Sequence, residues 1–367
     1  MPSLAGGSGG QRVNEDQFKG ILETAVKNQA SDVHFEVGYP PIFRIQGELV
    51  GVKGPPLTPA DTESAALLIM SEEPDLFAGD FDEVDRSYSI PGLSRFRANI
   101  FKQRGALGIV MRVIPFEIRG FEALNLPRVL GDIALSPRGL ILVTGATGMG
   151  KSTTIAAMIQ HLNMSRRAHV VTIEDPIEFI FPPAKSLIIQ REVGSDTRSF
   201  QSALRSVLRQ DPNCIMVGEL RDRESMDICL KAAETGHTVI TSVHTVDARR
   251  TIGRLVGLFP AEEQASVRLR LAESLVASIS LRLVKAKGGG MLPAVEIMRM
   301  TRTLQETIKD PDKLDEMEHH ISQARELGCQ TFDQHLLELV RSDRISEATA
   351  LLHASNPGDL KRALAFG

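Results

Sequence analysis

The clearest chemistry in the chain lies in one glycine-rich stretch near its middle. It reads Gly145-Ala146-Thr147-Gly148-Met149-Gly150-Lys151-Ser152, the G-x-x-x-x-G-K-S pattern of a phosphate-binding loop. The glycines let backbone N–H groups turn toward phosphate oxygens. Lys151 is expected to reach the β- and γ-phosphates, and Ser152 to bind Mg²⁺. The stretch therefore predicts an ATP and Mg²⁺ site that extends to Thr153.

The segments on both sides of this loop separate it from an ordinary glycine turn. Residues 139–144 form a short apolar run of the kind found in buried parallel strands. Residues 152–159 have a spacing compatible with a helix. A loop between a strand and a helix start adds the positive partial charge of the helix N-terminus to the phosphate site.

Two further strand-like runs end in carboxylates. Residues 169–173 lead into Glu174, and residues 214–217 lead through a glycine into Glu219. Phosphoryl transfer needs one acid beside the metal and one group that orients or deprotonates the attacking water. We predict Glu174 as the water activator and Glu219 as the acid beside the metal. The residues alone also allow the two roles to be exchanged.

A third strand, over residues 238–243, ends at His244. Imidazole can donate a hydrogen bond at neutral pH, so His244 is a candidate sensor of the γ-phosphate, with a buried structural histidine as the alternative. His237, just before the strand, is predicted to be structural. Arg97 and Arg112 lie on strand-like segments and suit phosphate contact, but their type and spacing do not separate them from ordinary surface arginines.

The composition limits the class of protein. A net charge of −4 disfavours a nucleic-acid motor, which usually carries a basic face, so nucleic acid is not an expected partner. The three cysteines have neither metal-site nor disulfide spacing, which fits a reducing, cytoplasmic setting. Neither a signal peptide nor an apolar run of membrane-spanning length is evident. Any membrane role would therefore depend on partners.

The element pattern changes along the chain. The first part is α+β, with predicted helices at 16–29 and 59–70, the second capped by Thr58, and predicted strands at 32–37, 42–45, 48–50, 85–90, 96–101 and 108–113. From about residue 126, predicted strands at 139–144, 169–173, 214–217 and 238–243 alternate with helices at 151–163, 200–209 and 223–235. This alternation predicts a parallel sheet covered on both faces, with its chemistry at the carboxyl ends of the strands.

The end of the chain is predicted to be helical and polar. A turn at 288–290 separates two late elements, and predicted helices follow at 303–309, 314–327, 332–340, 346–354 and 360–364.

Taken in order, the motifs resemble one family. The family is the secretion ATPase superfamily. The loop at 145–152 resembles its Walker A motif, and the segment 172–179 resembles its Asp-box. The segment 217–222 resembles its Walker B motif, and the stretch from 233–237 through 244–245 resembles its His-box. Within it, the chain is similar to the PilT/PilU group of type IV pilus retraction motors. The resemblance runs from Ser31 to the end of the chain.

The resemblance carries expectations about architecture. It implies a PAS-like N-terminal domain (13–114), a RecA-like P-loop ATPase domain with a parallel-rich sheet (126–300) and a helical C-terminal region (301–367). Composition, rich in Gly and Ser at the start and in Pro, Gly and charges before residue 126, predicts a disordered lead (1–12) and a linker (115–125). The resemblance also implies a homohexamer and gives Arg97 and Arg112 the role of arginine fingers. Hydrolysis of ATP would then move the N-terminal domain relative to the ATPase domain.

The same resemblance implies a function. The expected activity is ATP hydrolysis coupled to retraction, or disassembly, of type IV pili in twitching motility. The expected partner is a pilus platform protein at the inner membrane, where the protein would be cytoplasmic and peripheral. Segment 301–306 departs from the Ala-Ile-Arg-Asn type of PilT, and 328–333 and 356–360 look closer to PilU. The alternative is therefore a PilU-like, nucleotide-gated accessory module that acts with a paralogous pilus ATPase. The absence of a tetracysteine zinc module disfavours pilus extension.

Overall fold

A computed structural model describes residues 13–70, 81–114 and 118–365. The chain divides into two compact units, with the boundary between residues 117 and 118. The predicted disordered lead, 1–12, lies outside the described residues, as do residues 115–117 of the predicted linker. The units are called unit 1 and unit 2 below, and each is described by itself.

Unit 1 is an antiparallel sheet with helices. Its described elements are α1 Glu15–Lys27, β1 Asp32–Phe35, β2 Ile42–Ile45, β3 Glu48–Gly51, α2 Pro59–Ile69, β4 Glu83–Ile90, β5 Ser94–Gln103 and β6 Ala106–Ile114. Thr58 caps α2 as predicted, since its side chain accepts a hydrogen bond from the Asp61 N–H. The β2–β3 hairpin turns at Gln46 and Gly47, which both have positive φ, as a tight two-residue turn requires.

The strand order in unit 1 is β3-β2-β1-β6-β5-β4, with every neighbouring pair antiparallel. One face of the sheet shares an apolar core with α1 and α2, which includes Phe18, Phe35 and Phe96. Since side chains alternate between faces along a strand, the residues between these core positions point to the other face. That second face carries arginines in the middle of strands.

Unit 2 alternates strands and helices through most of its length. Its first described elements are α3 Val129–Ala134, β7 Gly139–Thr144, α4 Lys151–Ser165, β8 His169–Glu174, β9 Leu187–Glu192, α5 Phe200–Val207, β10 Cys214–Val217, α6 Arg223–Glu234 and β11 Thr238–Val243. They are followed by α7 Ala248–Val256, α8 Ala261–Ser274, β12 Leu275–Lys285 and β13 Met291–Arg299. The predicted turn at 288–290 joins β12 to β13.

The sheet of unit 2 has seven strands in the order β13-β12-β7-β11-β10-β8-β9. All neighbours are parallel except β12 and β13, which form an antiparallel edge hairpin. Residues of β7, β10 and β11 are buried throughout, and separate apolar cores cover the sheet. The predicted α/β class with a parallel-rich sheet is confirmed. The carboxyl ends of β7, β11, β10 and β8 meet at one edge of the sheet.

The last part of unit 2 is helical. Its helices are α9 Arg302–Lys309, α10 Met317–Gln323, α11 Phe332–Arg341, α12 Glu347–His353 and α13 Pro357–Ala365, with 3₁₀ helices at Pro311–Glu316 and Arg325–Leu327. The prediction of one continuous helix over 314–327 is wrong. Only Met317 and Ile321 of this segment are buried, enough apolar surface to hold a short helix on the core. Among the described residues, the helices lack the length and apolar character needed to cross a membrane.

Candidate active site

The phosphate loop connects β7 to α4 and depends on its glycines. Gly145 has φ of +149°, and a Cβ there would lie 2.9 Å from the backbone oxygen of Leu281 and 3.2 Å from Cβ of Met149. Gly150 has φ of +86° and is the N-cap of α4, which receives no side-chain cap. Because no side chain caps α4, the amides of its first turn are left to a ligand.

Lys151 folds back over this loop. Its Nζ donates to the backbone oxygens of Gly145, at 2.9 Å, and Ala146, at 3.0 Å. An ammonium group has a further N–H, which can meet a phosphate oxygen. Burial lowers the pKa of Lys151, while the negative charges of Glu219 and Glu178 act in the opposite direction. The lysine therefore lies in the field of two carboxylates at the same edge of the sheet.

Glu174, at the end of β8, is buried and held by its neighbours. Its Oε1 accepts from Oγ1 of Thr172, at 2.6 Å, and from Nε2 of Gln190, at 3.1 Å. Its Oε2 accepts from the backbone N–H of Glu178, at 3.4 Å. Burial raises the pKa of Glu174, and these hydrogen bonds oppose the rise. Both carboxylate oxygens are therefore engaged: Oε1 by side chains of β8 and β9, and Oε2 by the loop that follows β8.

That loop brings a different carboxylate to the phosphate loop. Oε1 of Glu178 accepts a hydrogen bond of 3.0 Å from Oγ of Ser152, the residue predicted to bind Mg²⁺. Glu178 is exposed to solvent, in contrast to the buried Glu174. The sequence analysis missed Glu178 as a site residue. A signal for it was present, since Glu178 is a second glutamate placed shortly after the end of the same strand.

Glu219 follows β10 and lies between two cationic or polar groups. Its Oε1 forms an ion pair with Arg221, and its Oε2 lies 3.5 Å from Nε2 of His244. The structure thus brings together Glu219 and His244, which were predicted from two separate strands. Ser242 fixes this arrangement, because its Oγ donates to the Gly218 oxygen at 2.6 Å and its own backbone oxygen accepts from the Leu220 N–H at 3.0 Å.

The side chains at this edge fit Mg²⁺. The hydroxyl of Ser152 and the carboxylates of Glu178 and Glu219 are oxygen ligands, which Mg²⁺ prefers. Across the described ranges, no group of three or more His, Cys, Asp or Glu side chains is arranged to hold a metal alone. Mg²⁺ bound together with a nucleotide usually takes one or two protein oxygens, and phosphate oxygens and water are its other ligands.

His237 precedes the amino end of β11, whereas His244 follows its carboxyl end. Its Nδ1 contacts the backbone oxygen of Ala232, at 3.0 Å, and Oγ1 of Thr235, at 3.3 Å, where α6 ends. The imidazole ring thus provides hydrogen-bond partners for groups at the C-terminus of α6. It lies at the end of β11 that is remote from the phosphate loop.

The two predicted arginines lie on the polar face of the unit 1 sheet. Arg97 on β5 and Arg112 on β6 are direct cross-strand neighbours. A terminal nitrogen of Arg97, Nη2, lies 3.5 Å from Oδ2 of Asp85. Arg112 is held instead through Nε, which donates to Oδ1 of Asp32 at 3.1 Å, and 71% of its side chain is exposed. The two arginines therefore differ in which edge of the guanidinium is engaged.

Comparison with known proteins identifies the family. A family model described as "Type II/IV secretion system protein" matches residues 9–342. The chain belongs to the type II/IV secretion system protein family. The resemblance drawn from the sequence is confirmed by this match and by the relatives of the family that follow.

Two curated relatives in this family come from Pseudomonas aeruginosa strain PAO1. The type IV pilus retraction ATPase PilT is 43% identical over 337 residues, which cover 92% of this chain and 98% of PilT. The type IV pilus ATPase PilU is 36% identical over 352 residues, which cover 96% of this chain and 92% of PilU. Both similarities extend through the two units.

A solved structure supports the same assignment within the type II/IV secretion system family. The crystal structure of the pilus retraction motor PilT with bound ADP matches this chain with a TM-score of 0.85 and 41% identity. The match covers 93% of this chain and 98% of that one. A RecA-like core fits this likeness, and the PilT structure was solved with bound ADP.

Proposed function

We propose that this protein is an ATPase motor that couples ATP hydrolysis to the retraction of type IV pili. The observation that carries the proposal is the group of side chains at one edge of the unit 2 sheet: Lys151 over the phosphate loop, Ser152 bonded to Glu178, and Glu219 beside His244. Identity of 43% to a pilus retraction ATPase over nearly its whole length supports the cellular role.

Binding of ATP is assigned to residues 145–153. The amides of the loop and of the first turn of α4 surround the phosphates, and Lys151 turns from the loop oxygens toward the β- and γ-phosphates. Ser152 and Glu219 would hold Mg²⁺, and the bound metal would neutralise charge on the phosphate oxygens.

Glu178 is our candidate for the group that activates water. It is exposed, and its side chain already meets Ser152, whereas Glu174 is buried with both oxygens engaged. In this assignment Glu178 accepts a proton as the water oxygen attacks the γ-phosphorus. The bond to the bridging oxygen breaks, and ADP leaves with that electron pair. Glu174 fixes the loop that carries Glu178, and His244 donates a hydrogen bond to the γ-phosphate.

Arginines of unit 1 complete the proposed site. Arg112 presents its terminal nitrogens to solvent, which suits bidentate contact with a phosphate, and Arg97 lies beside it. An arginine finger stabilises charge that develops on the transferred phosphoryl group. Contacts from a separate unit would tie the presence of the γ-phosphate to the position of that unit and so produce movement.

The architecture of the motor follows the family. We propose a PAS-like domain over 13–114, a linker over 115–125, a RecA-like ATPase domain over 126–300 and a helical region over 301–367. Six copies would form a ring. The ring would act in the cytoplasm on a pilus platform protein of the inner membrane, and a paralogous pilus ATPase is a further proposed partner.

The test combines enzymology with a cell assay. Purified wild type should release phosphate from ATP in the presence of Mg²⁺, and Lys151→Ala should not. In the source organism, the same substitution should abolish twitching while surface pili persist. If the wild type hydrolyses ATP but Lys151→Ala leaves twitching unchanged, the cellular role is removed and the ATPase activity remains.

A PilU-like accessory role is the second candidate. It is favoured by similarity to PilU over 96% of this chain. An accessory module would bind ATP but hydrolyse it appreciably only with a paralogous ATPase. Turnover of the purified protein, measured alone and with a co-expressed paralogue, separates the two roles: substantial turnover alone supports the autonomous motor.

A further inference from the structure

Asp32 is a buried carboxylate in the middle of the polar face of the unit 1 sheet. It lies on the central strand β1, directly opposite Arg44 on β2 and Arg112 on β6. Only 7% of the residue is exposed. A buried carboxylate is costly unless charged or hydrogen-bonding partners surround it. The partners of Asp32 therefore indicate what its position serves.

The carboxylate divides its oxygens between two strands. Oδ1 accepts from Nε of Arg112 at 3.1 Å. Oδ2 accepts from Oγ of Ser31 at 2.8 Å and lies 3.7 Å from Nε of Arg44. The hydroxyl of Ser31 orients Asp32, so the bond to Arg112 comes from a fixed group rather than from a mobile side chain.

The bond to Nε leaves the phosphate-binding edge of Arg112 available. The two Nη nitrogens project beyond Nε, and within the described residues neither has a hydrogen-bond partner. Arg44 and Arg97 differ in this respect. Nη1 of Arg44 donates to the Gly47 oxygen at 2.9 Å, and Nη2 of Arg97 lies 3.5 Å from Asp85. On this face, Arg112 has Nε bound to Asp32 and, among the described residues, no hydrogen-bond partner at either Nη.

We propose that Asp32 is a positioning residue for Arg112. It holds Nε so that the fork formed by the two Nη groups is oriented before the γ-phosphate arrives. The inference rests on the proposed role of Arg112 as an arginine finger. An untethered arginine loses much rotamer freedom when it binds, and a fixed one loses less. The benefit appears in the transition state, where geometry matters most.

A double-mutant cycle tests the proposal. Asp32→Asn keeps the shape and weakens the charged bond, and Arg112→Ala removes the finger. We expect Asp32→Asn to lower kcat ~10- to 100-fold, because small misplacements of a catalytic group have effects of this size. KM for ATP should change less than about threefold, since the contact forms in the transition state. The double variant should have the turnover of Arg112→Ala alone.

The outcomes separate this inference from the proposed function. Wild-type turnover of Arg112→Ala would remove the arginine finger and with it the role of Asp32. If Asp32→Asn lowers the turnover of Arg112→Ala by the same factor as it lowers that of the wild type, only the positioning role is removed. Wild-type turnover of Asp32→Asn would do the same.

Two further variants guard against loss of folding. Arg112→Lys keeps the charge at an exposed position and lacks Nε, so it should fold and lose turnover about as much as Asp32→Asn. Adding Asp32→Asn to it should have no further effect. Arg44→Gln is the matched control, since it removes the other arginine beside Asp32, and its turnover should remain within about twofold of wild type. Thermal unfolding should show all variants folded at the assay temperature.

Discussion

The two sheets of this molecule place their functional side chains differently. In unit 2 the parallel strands are covered on both faces, so the polar residues gather where β7, β8, β10 and β11 end. In unit 1 the described helices α1 and α2 pack on one face of the antiparallel sheet, and Asp32, Arg97 and Arg112 lie on the other face, at the start of β1 and within β5 and β6. In unit 2 the candidate phosphate-binding residues therefore lie in loops after strands, whereas in unit 1 the strand register sets the spacing of the arginines.

The difference also affects how each group is held. Glu178 and Glu219 depend on loop conformation, which Glu174 and Ser242 fix through hydrogen bonds. Arg112 depends on a single charged bond within a rigid sheet. Substitutions in the two units should therefore fail in different ways.

The largest effect is expected at the phosphate loop. Lys151→Ala should reduce ATP turnover by at least ~10³-fold and weaken nucleotide binding, because it removes a cation from the transferred phosphates. Phosphate release and binding of a fluorescent nucleotide measure the two quantities. Lys185→Ala, an exposed lysine of the same unit, is the control and should behave as wild type. Turnover by Lys151→Ala near the wild-type rate would place the chemistry elsewhere.

Glu174, which ends β8, and Glu178, which follows it, should differ sharply in their effect on turnover. Glu178→Gln should lower kcat ~10²- to 10⁴-fold, the range for loss of a general base, with nucleotide affinity retained. Glu174→Gln should lower kcat only ~10-fold, because its effect passes through the loop that it fixes. Steady-state kinetics with binding controls decide the matter. A greater loss for Glu174→Gln would restore Glu174 as the water activator.

Within unit 1, the two arginines should be unequal. Arg112→Ala should reduce kcat ~10²- to 10³-fold and Arg97→Ala ~10-fold, because only Arg112 combines a fixed Nε with free terminal nitrogens. Arg97→Ala is at an exposed position and its partner Asp85 is also exposed, so the unfolding temperature should hardly change, whereas Arg112→Ala takes a partner from the buried Asp32 and should lower it. Equal losses would mean that Asp85 does not restrain Arg97 in the working enzyme.

The smallest effect concerns a buried carboxylate of unit 2 that lacks the arginine tether of Asp32. Glu296 on β13 accepts from the Ala248 N–H at 2.7 Å and from Oγ of Ser280 at 2.9 Å. Burial raises the pKa of Glu296 from 4.5 to about 7, and these hydrogen bonds oppose the rise. The folded chain thus binds this proton more tightly than the unfolded chain, so stability is lost as pH rises from about 5 through about 7.

The variant Glu296→Gln removes this titration. Its free energy of unfolding relative to wild type should rise between pH 5 and pH 8 by roughly 2–4 kcal/mol. Denaturant unfolding of both proteins at several pH values measures this difference, in which the contributions of the other titrating groups cancel. A constant difference across this range would show that Glu296 does not titrate there.

Local patterns made much of unit 2 predictable. Each of these strands is an apolar run that leads into a polar residue directly, through a glycine or through the phosphate loop, so the sequence alone places Lys151, Glu219 and His244 at the same end of the sheet. The strand β12 also had a signal, since residues 277–283 alternate small or apolar with polar residues, but it was overlooked. The segment 314–327 looked like one helix because periodicity does not reveal where packing stops.

Other features depend on contacts between distant segments. The proposed role of Glu178 rests on a loop that returns to Ser152, whereas the sequence pattern favours Glu174, which ends the strand. The difference between Arg97 and Arg112 follows from strand register and from Asp32, 80 residues before Arg112 in the chain. The sequence contains both arginines but does not say which nitrogen of each is engaged.

The proposed function requires guanidinium groups of the unit 1 face to reach the phosphate site at the carboxyl ends of the unit 2 strands. A structure of the assembled protein with ADP, Mg²⁺ and aluminium fluoride would show the transition-state arrangement. We predict Nη of Arg112 within about 3 Å of a fluoride in at least one protomer. Arg112 and Arg97 both remote from the fluoride in every protomer would contradict the account.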